Sequence, residues 1–195
     1  MTDESDTRIK TDEFFIIPRG PSILVEGPDC VGKTTLCKQM SELTGIPVWK
    51  CPAEKDIFRG GAGGVSLWFD LHLANLLDQT AYRIISDRSF LSEAVYAQVF
   101  GRQTDAELLD VIELRHYNIG TKVLYVHSSE LPHQEDDLVP KERYWDVKRA
   151  YDAYLTDCLL EAVAVDTASM LRAYREGGDI SRDVALSCLS LLGVV

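Results

Sequence analysis

Apolar residues along the chain fall into two recurring arrangements. Short runs rich in β-branched residues, Ser22–Glu26 (SILVE), Ile46–Trp49 (IPVW), Arg83–Ser86 (RIIS), Lys122–Val126 (KVLYV) and Ala162–Val165 (AVAV), predict strands. They are apolar on both faces, as strands of a buried parallel sheet are. Between them, helix-period stretches cover Lys33–Leu43, Val65–Leu77, Leu91–Val99, Ala106–Tyr117 and Glu142–Leu160. Thr104 and Glu107 have the spacing of a capping box ahead of the fourth. Phe14–Ile17 before Pro18 predicts a short edge strand, and Val184–Val195 a final helix on the core. Strands alternating with helices require crossover connections, so the expected fold class is α/β: three layers, with a five-stranded parallel sheet flanked by helices.

Length and composition narrow the picture. The chain has 195 residues, enough for one domain with its own core; residues 1–12 are polar and acidic and predict a disordered tail, leaving 13–195 as the folded domain. With 20 basic and 31 acidic residues the formal charge is −11, a field that repels nucleic-acid phosphates and anionic membranes. Neither is an expected partner. The five cysteines are odd in number and form no C-x-x-C pair, which argues against a disulfide framework or structural zinc. The acidic start does not read as a secretory signal, and the apolar stretch near the carboxyl end is too short for a bilayer. The expected location is cytoplasmic.

One segment carries specific chemistry. Gly27-Pro28-Asp29-Cys30-Val31-Gly32-Lys33-Thr34 fits G-x-x-x-x-G-K-[ST], directly after a predicted strand and directly before a predicted helix. Backbone N–H groups from Gly27 through Thr35, including those of Asp29, Cys30 and Val31, are expected to wrap a diphosphate, which a side chain at Gly27 or Gly32 would obstruct. Lys33 neutralises β- and γ-phosphate oxygens, the helix amino terminus faces the same anion, and the Thr34 hydroxyl is placed for a metal. The expected cofactors are ATP and Mg²⁺. The bland alternative, a Gly-rich turn with a solvated lysine, does not account for the threonine.

A second cluster, Asp87-Arg88-Ser89-Phe90, follows the third strand. In an open α/β sheet, ligands gather beyond the carboxyl ends of the strands, so Asp87 and Arg88 emerge on the rim of the phosphate loop. Asp87 is expected to hold Mg²⁺ through a water, and Arg88 to clamp a second phosphate with two parallel hydrogen bonds. An Asp-Arg surface ion pair is the competing reading.

The phosphate loop GPDCVGKTT, the segment DRSFLSEAVYAQVFGR with Ser92 and Tyr96, and a fourth strand leading into a polar loop and long helix resemble the thymidylate kinase family, in particular its short phage-type deoxynucleoside monophosphate kinases. The resemblance spans about residues 20–170 and implies a phosphate-loop kinase fold with a short lid. It implies transfer of the γ-phosphoryl of ATP to a deoxynucleoside monophosphate, dTMP first. It further implies that Asp29 faces the acceptor sugar, that Arg88 grips the acceptor phosphate, and that Trp68 or Phe69 stacks on the acceptor base, although plain core is as good a reading of those aromatics. Tyr96 and Tyr151 are further candidates for base or sugar contacts. Gly60–Gly64 is a candidate hinge. The expected partners are small-molecule nucleotides, with a homodimer as the candidate assembly.

The departures from the family pattern are specific. Cys30 stands where one pattern has an arginine, and the lid SSELPHQEDDLVPKER is acidic up to Lys141 and Arg143. Lys141, Arg143 or Arg149 would have to supply the catalytic charge, Arg143 first. Four residues after the aromatics stand His72 and Leu73 in place of the family arginine, so His72 joins the acceptor candidates. Two other functions stay open: a deoxynucleoside kinase, with Glu54 or Asp87 as the base that takes the acceptor proton, and a nucleotide-binding module without turnover.

Overall fold

The computed structural model describes residues 20–50, 64–132 and 140–195. The expected tail, the strand at Phe14–Ile17, Glu54, Gly60–Gly63 and the middle of the lid lie outside the described residues. Five strands, β1 (Ile23–Glu26), β2 (Val48–Lys50), β3 (Ile85–Asp87), β4 (Lys122–His127) and β5 (Glu161–Asp166), form one sheet in the order β2-β3-β1-β4-β5. Every pairing is parallel. Seven helices accompany them among the described residues: α1 (Lys33–Thr44), α2 (Gly64–Gln79), α3 (Phe90–Phe100), α4 (Ala106–Asn118), α5 (Tyr144–Asp157), α6 (Ala168–Arg175) and α7 (Ser181–Leu191).

Side chains of the central strands alternate between two cores, as the pleat requires. Ile23 and Val25 of β1, with Leu124 and Val126 of β4, pack under Leu36 and Met40 of α1 and Cys188 and Leu189 of α7. Leu24 and Val123 face the opposite way, against Leu67 of α2, Phe90 and Leu91 of α3 and Ile112 of α4. These are the expected three layers. Burial is confined to the middle of the sheet: β2 is exposed at all three positions and β5 along most of its length, because each is an edge strand.

Several boundaries differ from the sequence pattern. The third strand is displaced toward its carboxyl end and takes in Asp87, while Arg83 is drawn off by the Gly20 carbonyl, to which its Nε donates at 2.8 Å. The fourth helix is capped by Asp105, which accepts from the Leu108 N–H at 3.0 Å; Thr104 makes no capping bond. The stretch Glu142–Leu160 is not one helix. A single 3₁₀ turn at Lys141–Arg143 precedes α5, and the chain turns extended at Cys158 to enter β5. The last helix starts at Ser181 and stops at Leu191, and α6 was not anticipated.

Candidate active site

The sheet order sets the site. With β1 between β3 and β4, the loops leaving all three strands open on one rim, above a cavity of about 790 Å³. Gly27 has φ 139° and Gly32 φ 89°, conformations suited to glycine. A Cβ on Gly27 would collide with the Val126 backbone carbonyl, and one on Gly32 with the end of the Met170 side chain. Cys30 also adopts positive φ, at 61°. The loop is pinned from below by Thr167, whose Oγ1 donates at 2.8 Å to the Val31 carbonyl and lies 3.0 Å from that of His127.

Lys33 is buried at the start of α1, and its Nζ donates across the loop to the Pro28 carbonyl. Burial lowers its pKa to about 8, against the pull of Glu26 and Asp87. Beside it, Thr34 Oγ1 donates to Asp87 Oδ2 at 2.7 Å. A hydroxyl and a carboxylate side by side at a phosphate cradle make a hard-oxygen pair that fits Mg²⁺, so the residues present suit the expected cofactor. Asp87, expected on the rim of the phosphate loop, is in direct contact with its threonine.

At the other end of the loop, Arg88 holds an uncommon left-handed backbone, φ 77°. Ser86 Oγ donates to the Arg88 carbonyl at 2.7 Å and the Arg88 N–H donates to Val25 at 3.1 Å, which locks that turn. Its guanidinium forms an ion pair with Asp29, donates to Ser92 Oγ at 3.2 Å, and lies 5.3 Å from the centre of the Tyr96 ring. Burial opposes charge on Arg88, but Tyr96, Tyr151 and Glu26 outweigh it, so the guanidinium stays charged. Tyr96 OH completes the group by donating to Asp29 Oδ2 at 2.7 Å. The structure thus brings Asp29, Arg88 and Tyr96 together.

Among the buried carboxylates, Glu26 and Asp70 escaped the sequence reading. Glu26, the last residue of β1, is fully buried and accepts from Ser89 Oγ at 2.7 Å, Ser92 Oγ at 2.6 Å and Tyr151 OH at 3.0 Å. Burial raises its pKa. Asp70 of α2 is buried as well and accepts from the Phe90 N–H at the start of α3; burial, helped by Glu26, pushes its pKa up to about 8. Thr167, and the cavity wall formed by Met170, Tyr174 and Arg175 of α6, were also missed.

Other expected residues lie elsewhere. Trp68 and Phe69 are exposed on α2, with the His72 ring 6.4 Å from that of Trp68, and none of the three lines the cavity. Tyr151 is fully buried beneath Arg88, with its hydroxyl given to Glu26. Arg143 turns away from the phosphate loop: it donates to the Val99 carbonyl at 2.7 Å, pairs with Asp146 at 2.9 Å and lies over Phe100. Arg149 pairs with Asp146 at 2.5 Å. Within the cavity the cations are Lys33, Lys50, Arg88 and Arg175, among the described residues.

A family model described as an AAA domain, AAA_28, matches residues 22–170. The chain belongs to the AAA_28 family. The match begins at β1 and ends inside α6, so it takes in the phosphate loop, Asp87 and Arg88 but not Tyr174 and Arg175 of the cavity wall. No curated protein sequence matches this AAA_28 chain. Among solved structures, the fold is similar to that of the YorR protein from Bacillus subtilis in complex with phosphorylated GDP, with TM-score 0.64, 22% identity, and coverage of 88% of this chain and 95% of that one. It is similar to deoxyadenosine kinase from M. mycoides with dCMP and dCDP bound, with TM-score 0.54, 16% identity, and coverage of 88% and 99%. It is also similar to thymidylate kinase from Candida albicans, with TM-score 0.52, 16% identity, and coverage of 90% and 92%. At these identities the likeness establishes the phosphate-loop kinase fold. The thymidylate kinase resemblance noted in the sequence is thus met at the level of fold, within a family defined more broadly.

Proposed function

We propose that the protein is an ATP-dependent phosphotransferase that moves the γ-phosphoryl group onto a deoxynucleoside monophosphate, dTMP being the first acceptor to try, to give the diphosphate. The carrying observation is the convergence of Lys33, the Thr34–Asp87 pair and Arg88 on one cavity rim. The loop amides and Lys33 hold the donor phosphates. Mg²⁺, held by Thr34 and, through water, by Asp87, would offset charge on the phosphate oxygens when bound. Arg88, carried with Asp29 and Tyr96, aligns the acceptor phosphate with the donor. Acceptor phosphate oxygens are already ionised near neutral pH, so alignment and charge, more than a base, are what the chain must provide. The apolar wall of Met170, Leu171 and Tyr174 suits the donor base.

One observation favours a second reading. Asp29 already opposes the Arg88 charge, and an arginine so neutralised beside carboxylates also suits an uncharged deoxynucleoside whose 5′-hydroxyl loses a proton. An ADP-release screen of the purified protein with Mg-ATP against common nucleosides and their monophosphates decides. Release dependent on Mg²⁺ and on a deoxynucleoside monophosphate is expected. Release with a nucleoside alone selects the second reading, and ATP binding with no release selects a binding module.

A further inference from the structure

The phosphotransfer reading leaves Glu26 unused, although its carboxylate accepts from three side-chain hydroxyls beside the site. It cannot touch a substrate, because it is fully buried at the end of β1, beneath the phosphate loop. Its two oxygens receive three hydroxyls drawn from two separate helical segments: Ser89 and Ser92 at the start of α3, and Tyr151 of α5. Sequence separations of 63 to 125 residues show that these contacts are made by the fold alone. Three donors converging on one side chain suit a group that only accepts, which is what an ionised carboxylate does.

The direction of these bonds matters for Arg88. Ser92 has one proton, and it goes to Glu26 Oε2 at 2.6 Å. Its lone pairs are thereby turned outward, where one receives Arg88 Nη1 at 3.2 Å and Tyr151 OH lies 2.9 Å away. Arg88 is then gripped at both ends of its fork, by Ser92 on Nη1 and by Asp29 on Nη2, with Tyr96 against its face. We infer that Glu26 is a positioning residue: by fixing the polarity of the Ser92 hydroxyl it sets the orientation in which the Arg88 guanidinium meets the acceptor's anionic group. This rests on the phosphotransfer reading for the identity of that group, and on the hydrogen-bond network alone for the hold on Arg88. The charged and titratable groups facing Glu26 are Arg88, Asp70 of α2, Lys33 and Cys37 of α1, and Tyr151 of α5.

Glu26→Gln is the informative change. It keeps shape and packing but introduces an amide N–H₂, which forces one hydroxyl to turn round and accept. Ser92→Ala removes only the relay. In full-length protein labelled with ¹⁵N-arginine, the Arg88 signals, assigned by their loss in Arg88→Lys, should show hindered guanidinium rotation in the wild type and rapid averaging in both variants. No substrate is needed for this readout. In parallel, the KM for dTMP should rise about tenfold in both variants, while the KM for ATP and the melting temperature stay close to wild type, as expected when only acceptor alignment is lost. Unchanged Arg88 signals in folded Glu26→Gln and Ser92→Ala would overturn the inference whatever the acceptor. A fall in kcat and rise in both KM values together, with Arg88 still hindered, would equally overturn it by making Glu26 merely structural. Should Glu26→Gln fail to fold, Ser92→Ala decides on the same criteria. A wild type that accepts no phosphoryl acceptor refutes the phosphotransfer reading, and the Arg88 signals then judge Glu26 by themselves.

Discussion

Lys33 sits in drier surroundings than a surface lysine, and its chemistry follows. Its pKa of about 8 means that it is still mostly charged near neutral pH and loses its proton as the pH rises through that value. A bound triphosphate favours the charged form, so binding above about pH 8 must take up a proton. Calorimetry in buffers of differing ionisation heat is expected to detect that uptake above pH 8 but little at pH 6, with affinity for Mg-ATP falling as the pH is raised. Affinity independent of pH across that range would contradict the assignment. Replacing Lys33 by Ala, or Thr34 by Ala, should cut turnover at least about a hundredfold with the fold intact, since the first removes a buried charge and the second a hydroxyl placed for the metal. Circular dichroism and steady-state kinetics on the same preparations check both halves of that statement. These residues were legible in the sequence because phosphate binding restricts a short contiguous stretch. Glu26, Asp70 and Thr167 were not, because nothing within several positions of them signals their roles; each acquires its role from partners far along the chain.

At the scale of elements, the phosphate loop depends on what lies under and over it. Gly27 meets backbone at Val126 whereas Gly32 meets only the tip of Met170, a flexible side chain. Gly27→Ala should therefore lower the melting temperature clearly more than Gly32→Ala, although both place alanine in a left-handed or related conformation. Equal losses would show that backbone conformation, not the collision, governs the loop. Thr167→Val leaves the Val31 carbonyl without its donor in a buried place, a cost of about 1–3 kcal/mol, and should weaken nucleotide binding as well. Chemical denaturation and nucleotide titration test this pair. The five strands and the first four helices were readable from apolar period, with edges misplaced by at most two residues. The short helix α6 was not, since its eight residues make only two turns, although they are clearly amphipathic, and α5 was overextended because a single 3₁₀ turn leads into it and the chain turns extended at Cys158. The capping box failed because the helix starts one residue later than it requires: Asp105 is the cap and takes the Leu108 N–H, whereas Thr104 would have needed that of Glu107.

For the molecule as a whole, folding has gathered acidic groups into a chain already carrying a charge of −11. Asp70 is the clearest example. Its carboxyl titrates near pH 4 when unfolded and near 8 when folded, so between those values the native state binds the extra proton. Stability from this group is present at low pH and is lost as the pH rises toward and through 8. Asp70→Asn, which keeps an acceptor for the Phe90 N–H, should raise the melting temperature at pH 8.5 more than at pH 5. A uniform shift at both pH values would show that Asp70 is ionised throughout.

No helix among the described residues is long and apolar enough to cross a membrane, and the functional features gather at a single cavity beyond the strand ends. In the proposed reaction a donor and an acceptor meet there. The most direct measurement follows the label from γ-³²P-ATP with dTMP, thymidine and the other common monophosphates and nucleosides, resolving products by chromatography, with wild type and Arg88→Lys side by side. The account predicts labelled deoxynucleoside diphosphate from the wild type and a much reduced yield from Arg88→Lys, because a lysine cannot reproduce the two-pronged hold. Label appearing in a monophosphate formed from a nucleoside, or label remaining in ATP with every acceptor, would contradict it.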